Sequence, residues 1–181
     1  VDYKPPTFRE FFGYFKETWK ASLAISIVTI VQAIVLFIAF PFYLNMGGIL
    51  GVAAMSVIFW VSVVWWIASQ YFFPIRARLD NEIKKLFKKS FMLFFDNTVF
   101  SIVLAIGTIV IFVLSGFTAF LLPGLTTILI WHQAGMKLRL YKYDYLEENE
   151  DADRKKIPWD ALLIDEKDRV GPRTLRGMIF P

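Results

Sequence analysis

The sequence predicts an all-α polytopic membrane protein. Its expected form is a four-transmembrane-helix bundle with interfacial amphipathic helices and a cytoplasmic C-terminal tail. Three observations predict it. Residues 21–75 contain no Asp, Glu, Lys or Arg, and neither do residues 97–136. All 20 Lys and Arg fall in three blocks, residues 4–20, 76–89 and 137–176. The chain is 56% hydrophobic, against about 45–50% for soluble domains, and the modest excess matters because it is clustered. A helix of about 20 apolar residues spans a bilayer core. The first run therefore has room for two spans, and the second for two more across a short turn.

Pro5-Pro6 ends any upstream structure, and Thr7 is the expected N-cap of a helix over 7–20, with Glu10 completing a capping box. Phe8, Phe11, Phe12, Phe15 and Trp19 share one helical face, while Arg9, Glu10, Lys16, Glu17 and Lys20 lie off it. Such a stripe suits either a soluble core or the membrane interface, and the long apolar run that follows favours the interface. The first span is expected at about 21–43. Its many β-branched residues are no obstacle in lipid, where the backbone must bond within the segment. Asn45-Met46-Gly47-Gly48 makes the turn. Gly47 and Gly51 have a spacing that permits close helix approach, but their place at a span end favours a simple turn. The second span is expected at about 49–73, with Trp65, Trp66, Tyr71, Phe72 and Phe73 as an aromatic belt. Pro74 must kink or stop the helix there, because its ring clashes with the Gln70 carbonyl.

The hinge follows, an amphipathic helix expected over 75–95. Ile75, Leu79, Ile83, Leu86, Phe87, Phe91 and Phe94 fall on one face; Arg76, Arg78, Lys84, Lys85, Lys88 and Lys89 lie largely on the other. Two readings suit it: a basic helix on the anionic inner leaflet, or a solvated charged face without lipid selectivity. The third span is expected at about 97–114 and the fourth at about 117–135. A helix starting at Pro123 would rise only about 20 Å before Lys137, too little for the core, so Pro123 is expected to kink the fourth span.

Basic residues concentrate on the cytoplasmic side of membrane proteins. Both termini and the hinge are therefore expected on the cytoplasmic face. The uncharged turns at 44–48 and 115–124 are expected on the other. The long first apolar run lacks the form of a signal peptide. The first residue is Val1, which leaves an additional upstream span open. No cysteine is present, so thiolate and disulfide chemistry are excluded. The basic pI of about 9.3 is accounted for by membrane topology, and no nucleic-acid partner is expected. In the tail, 144–181, an acidic run precedes Trp159, Leu162 and Leu163, anchors that a purely solvating segment would not need.

Polar residues within or beside the spans are the natural candidates for function. They are Gln70, Asp96, His132 and Gln133, all expected near the inner interface. There, capping or interhelical hydrogen bonding competes with a substrate or proton path. Arg76, Arg78 and Asn81 of the hinge and Trp159 of the tail are candidate interaction residues. No nucleophile–base set, phosphate-cradling glycine loop or metal-ligand spacing is visible, so no catalytic residue, cofactor or metal is expected. Asp160, Asp165, Glu166 and Asp168 read as a solvated acidic face.

Tyr71-Phe72-Phe73-Pro74-Ile75-Arg76-Ala77-Arg78-Leu79-Asp80-Asn81, followed by Lys84, Lys85 and Lys89-Ser90, resembles the signature of YesL-like integral membrane proteins. These are small bacterial multi-pass proteins of unassigned chemistry. The resemblance covers roughly residues 8–142 and includes the proline at 123 and the exit Lys137-x-Arg139-x-Tyr141. It implies an association with carbohydrate utilisation, beside the permease subunits of sugar ABC importers. It supplies no mechanism and no catalytic residue. The chain departs from it in lacking the family's additional upstream apolar segment and in its longer tail.

The expected function is that of a non-enzymatic accessory or assembly partner of such a complex. The alternative is a homo-oligomeric channel or small transporter, which would need several copies to enclose a path. An intramembrane enzyme would require Asp96 and His132 to come within hydrogen-bond reach.

Overall fold

The structure is a computed structural model that describes residues 7–79 and 82–170. Among them the regular structure is helix alone, with no strand. The chain divides into two compact units, residues 1–129 and 130–181. The first holds α1 (Phe8–Met46), α2 (Gly48–Ser69), α3 (Phe72–Arg78), α4 (Ile83–Asp96) and α5 (Thr98–Phe117). Then α6 (Leu125–Glu148) begins, and the second unit carries α7 (Trp159–Leu162) and α8 (Ile164–Val170).

The expected amphipathic helix and first span form one continuous helix. The Thr7 N–H donates to the Glu10 carboxylate at 2.8 Å and starts α1, which runs unbroken to Met46. No glycine or proline lies between Lys16 and Pro41 to end the helix. At about 1.5 Å per residue such a helix exceeds the bilayer core, so its charged first turns project beyond the apolar stretch. The stripe of Phe8, Phe12, Phe15 and Trp19 is exposed along those turns.

α1 and α2 pack as a hairpin across Gly47 and Gly48, both in the left-handed region (φ 65 and 66°). Gly51 is more than part of this turn. A Cβ there would lie 2.6 Å from the Tyr43 carbonyl oxygen, so the close-approach reading of this glycine prevails over the simple turn.

The break at Pro74 falls where its ring requires it. α2 ends at Ser69 and α3 begins at Phe72, which leaves Gln70 and Tyr71 as an elbow. The hinge is thus two helices rather than one, joined through residues 79–82. Much of its apolar face is covered by the chain itself, although Leu79 is exposed. Ile75 and Leu86 are fully buried and Phe94 nearly so, because α4 packs on α2, α3 and α5. Phe87 stacks on Trp65 at 5.6 Å and contacts Phe72 at 5.2 Å. The face that α4 turns outward carries Lys84, Lys85 and Lys88 together with Met92 and Phe95. The core of this unit lies at the elbow, where Ala21 and Ile25 of α1 meet Ile67 to Ile75, Leu86 and Phe94, and where Leu104 and Ala105 of α5 are buried.

The fourth span differs from expectation. α5 ends at Phe117 and residues 118–124 are not helical, so there is no kinked helix over 117–135. The Phe120 N–H donates to the Ser115 carbonyl at 2.7 Å and the Ala119 N–H to the Gly116 carbonyl at 3.2 Å. This pattern closes α5 as a Schellman motif, with Ala119 (φ 50°) and Phe120 (φ 63°) in the left-handed region. α6 restarts at Leu125, and its uncharged part, residues 125–136, rises about 18 Å. Three stretches are long and apolar enough to cross a membrane: Phe8–Met46, Gly48–Arg78 and Thr98–Phe117.

Candidate functional site: the elbow and the α6 exit

The elbow places a buried polar knot between α2 and α5. With Pro74 supplying no N–H to bond the Gln70 carbonyl, the helix opens and the Gln70 side chain turns inward, 4% exposed. Its amide Nε2 donates to the Ile67 carbonyl at 2.8 Å and to the Ser101 carbonyl at 3.3 Å, and its Oε1 accepts from the Thr108 hydroxyl at 3.4 Å. The fully buried Tyr71 hydroxyl shares a 2.7 Å hydrogen bond with Ser101 Oγ, which also lies 2.9 Å from the Asn97 carbonyl. In a low-dielectric setting each such group is costly unless partnered, and here the partners come from the facing helix. The knot therefore fixes the register of α2 against α5.

Arg76 projects from α3 toward α1. Its Nη2 donates to the Glu17 carbonyl at 2.7 Å, while Nε and Nη1 are buried without a hydrogen-bond partner. This contact ties the hinge to the charged turn of α1 just before its apolar stretch. Arg78 is exposed on the last turn of α3, and Asn81 lies outside the described residues. Trp65 Nε1 and Ser90 Oγ are likewise buried without hydrogen-bond partners, and both residues line a cavity of about 10 Å³.

Asp96 is exposed at the end of α4, where its carboxylate accepts from Asn97 Nδ2 at 3.3 Å. His132 and Gln133 are half-buried in α6 and belong to the second unit, whereas Asp96 belongs to the first.

In the second unit the tail folds back on α6. Glu166 forms an ion pair with Lys137 and accepts from the Tyr141 hydroxyl at 3.2 Å. The Arg139 guanidinium lies over the Trp159 ring, 5.5 Å from its centroid. Lys167 and Asp160 pair within the tail at 2.6 Å. The Lys137 amine is held above its ordinary value of 10.5, chiefly by the Glu166 hydrogen bond. Lys167 holds the Asp160 carboxyl below its ordinary 3.8. The acidic residues are thus not one solvated face. Glu166 is half-buried and engaged, and it was missed because its partners lie 25 and 29 residues away in sequence. The side chains of Lys137 and Glu166 are each 34% exposed, so the pair is screened and worth about 0–1 kcal/mol.

Reading residues one by one missed Ser101 and left Thr108 as one of several scattered hydroxyls. A signal was present. Ser101, Ala105, Thr108 and Ser115 form a stripe of small and polar residues at helical spacing along an otherwise apolar helix.

Fold and site together define an all-helical chain with three helices suited to crossing a membrane, stapled at one level by buried side-chain hydrogen bonds. Comparison with protein-family models, with curated proteins and with solved structures gives no match.

Proposed function

We propose that this chain is a non-enzymatic integral membrane protein that serves as an accessory or assembly partner of a membrane complex. The resemblance of its hinge points to a carbohydrate ABC importer and its permease subunits. The observation that carries the reading is how little of the long helices the chain covers itself. Only 6% of the apolar window is buried in each of the first two stretches, and 22% in the third. Such faces suit lipid and partner helices. The polar groups at the elbow support the same reading, since they bond helix to helix. In this proposal the protein resides in the bacterial cytoplasmic membrane with the hinge and the α6 exit on the inner side, as the three basic blocks favour.

The test is the composition of the purified particle. A tagged chain extracted in mild detergent is expected to bring permease-type subunits with it, and deletion of its gene is expected to impair sugar uptake. Recovery of the chain alone, with uptake unchanged in the deletion strain, would overturn the proposal.

A further inference from the structure

Three basic residues, Lys137, Arg139 and Lys142, follow the uncharged part of α6 directly, with the exposed Trp131 about 1.7 turns before the first of them. A basic cluster at this place in a chain is the usual binding face for anionic headgroups. In this structure the tail engages Lys137 and Arg139. Glu166 sits on Lys137 and Tyr141, and Trp159 sits on Arg139. The tail segment is short, and its contacts with α6 include two charge-based anchors, one of them an ion pair open enough to solvent to be screened.

We propose that residues 157–168 are a releasable acidic strap over a headgroup-binding face on α6, and that the phosphate of anionic phospholipid competes with Glu166 for that face. A phosphodiester offers Lys137 and Tyr141 what the carboxylate now offers, an anionic oxygen acceptor. It also offers Arg139 an anion in place of an aromatic ring. Release of the strap would uncover Trp159, Leu162 and Leu163 together with the basic face. The inference does not rest on the importer reading, because it concerns only groups within one unit of this chain.

The chain has no cysteine, so a pair of spin labels can be placed cleanly. Ala134→Cys on α6 and Ala161→Cys on the strap are both exposed and uncharged. The full chain carrying both labels is reconstituted in phosphatidylcholine vesicles, and the inter-label distance is measured as phosphatidylglycerol is added. A single narrow distance is expected in phosphatidylcholine, with a second, longer and broader population growing as the anionic lipid increases. Glu166→Gln is expected to show the open population without anionic lipid. Lys137→Gln combined with Arg139→Gln is expected to remove the dependence on phosphatidylglycerol. The wild-type titration alone decides the matter if a variant fails to fold. A distance distribution that ignores phosphatidylglycerol overturns the proposal. So does opening that requires an added protein partner and not the lipid.

Discussion

Ser90 and Ser101 show how context decides what a hydroxyl does. Both are buried, at 3% and 0% exposure. Ser101 is bonded to Tyr71 and to the Asn97 carbonyl, whereas Ser90 Oγ has no partner. Ser101→Ala is therefore expected to destabilise the protein by about 1–3 kcal/mol, because it leaves the Tyr71 hydroxyl buried and unpaired. Ser90→Ala removes an unpaired group and is expected to be neutral or slightly stabilising. Thermal unfolding in detergent distinguishes them, and equal losses in the two variants would contradict the assigned partners. Ala119 offers a third case. An L-residue in the left-handed region is disfavoured by about 1–2 kcal/mol, so Ala119→Gly is expected to raise stability by about 1 kcal/mol in the same assay. A lowered melting temperature would speak against the left-handed closure of α5.

At the scale of elements, the elbow follows from one proline and the residues that answer it. Pro74 opens the helix, Gln70 and Tyr71 turn inward, and α5 supplies Ser101 and Thr108 to receive them. Charge contributes to holding the tail strap on α6 and to the strap's own fold, which gives it a pH window. The raised Lys137 amine contributes fully below pH 10.5, and the contribution is lost as pH rises through its docked value. The lowered Asp160 carboxyl contributes above pH 3.8 and loses its contribution as pH falls through a lower value. Protection of the strap against limited proteolysis is expected to stay flat from about pH 4 to 10 and to decline only beyond those limits. A transition near pH 7 would mean that some other group holds the strap.

At the scale of the whole molecule, whether the chain crosses a fourth time bears on everything else. Residues 125–136 rise about 18 Å, short of a bilayer core of about 30 Å, yet the richest basic block follows them. The topology proposed above, which follows from charge, would have that block on the inner side. Single cysteines at Asn45, Glu82 and Lys155 report this directly. Asn45→Cys is expected to react with an impermeant reagent from outside, and the other two only after the membrane is opened. Outside labelling at Lys155→Cys would make this a three-span chain, with the strap and its basic face on the opposite side from the hinge.

The sequence by itself determined that the chain is helical and built for a bilayer, because charge-free runs and segregated basic blocks are one-dimensional signals that lipid enforces along the chain. It also placed the capping box at Thr7 and the break at Pro74, since both are set within four residues. Tertiary structure alone decided what Gly51 is for, where α4 turns its apolar face, and which polar residues matter. Gln70 was visible as a polar residue at a span end, but its partners Ser101 and Thr108 lie 31 and 38 residues away. Glu166 looked like one carboxylate among several until α6 came beside it. Periodicity gives the face of a helix, but which neighbour covers that face depends on contacts between distant segments, and those exist only once the chain has folded.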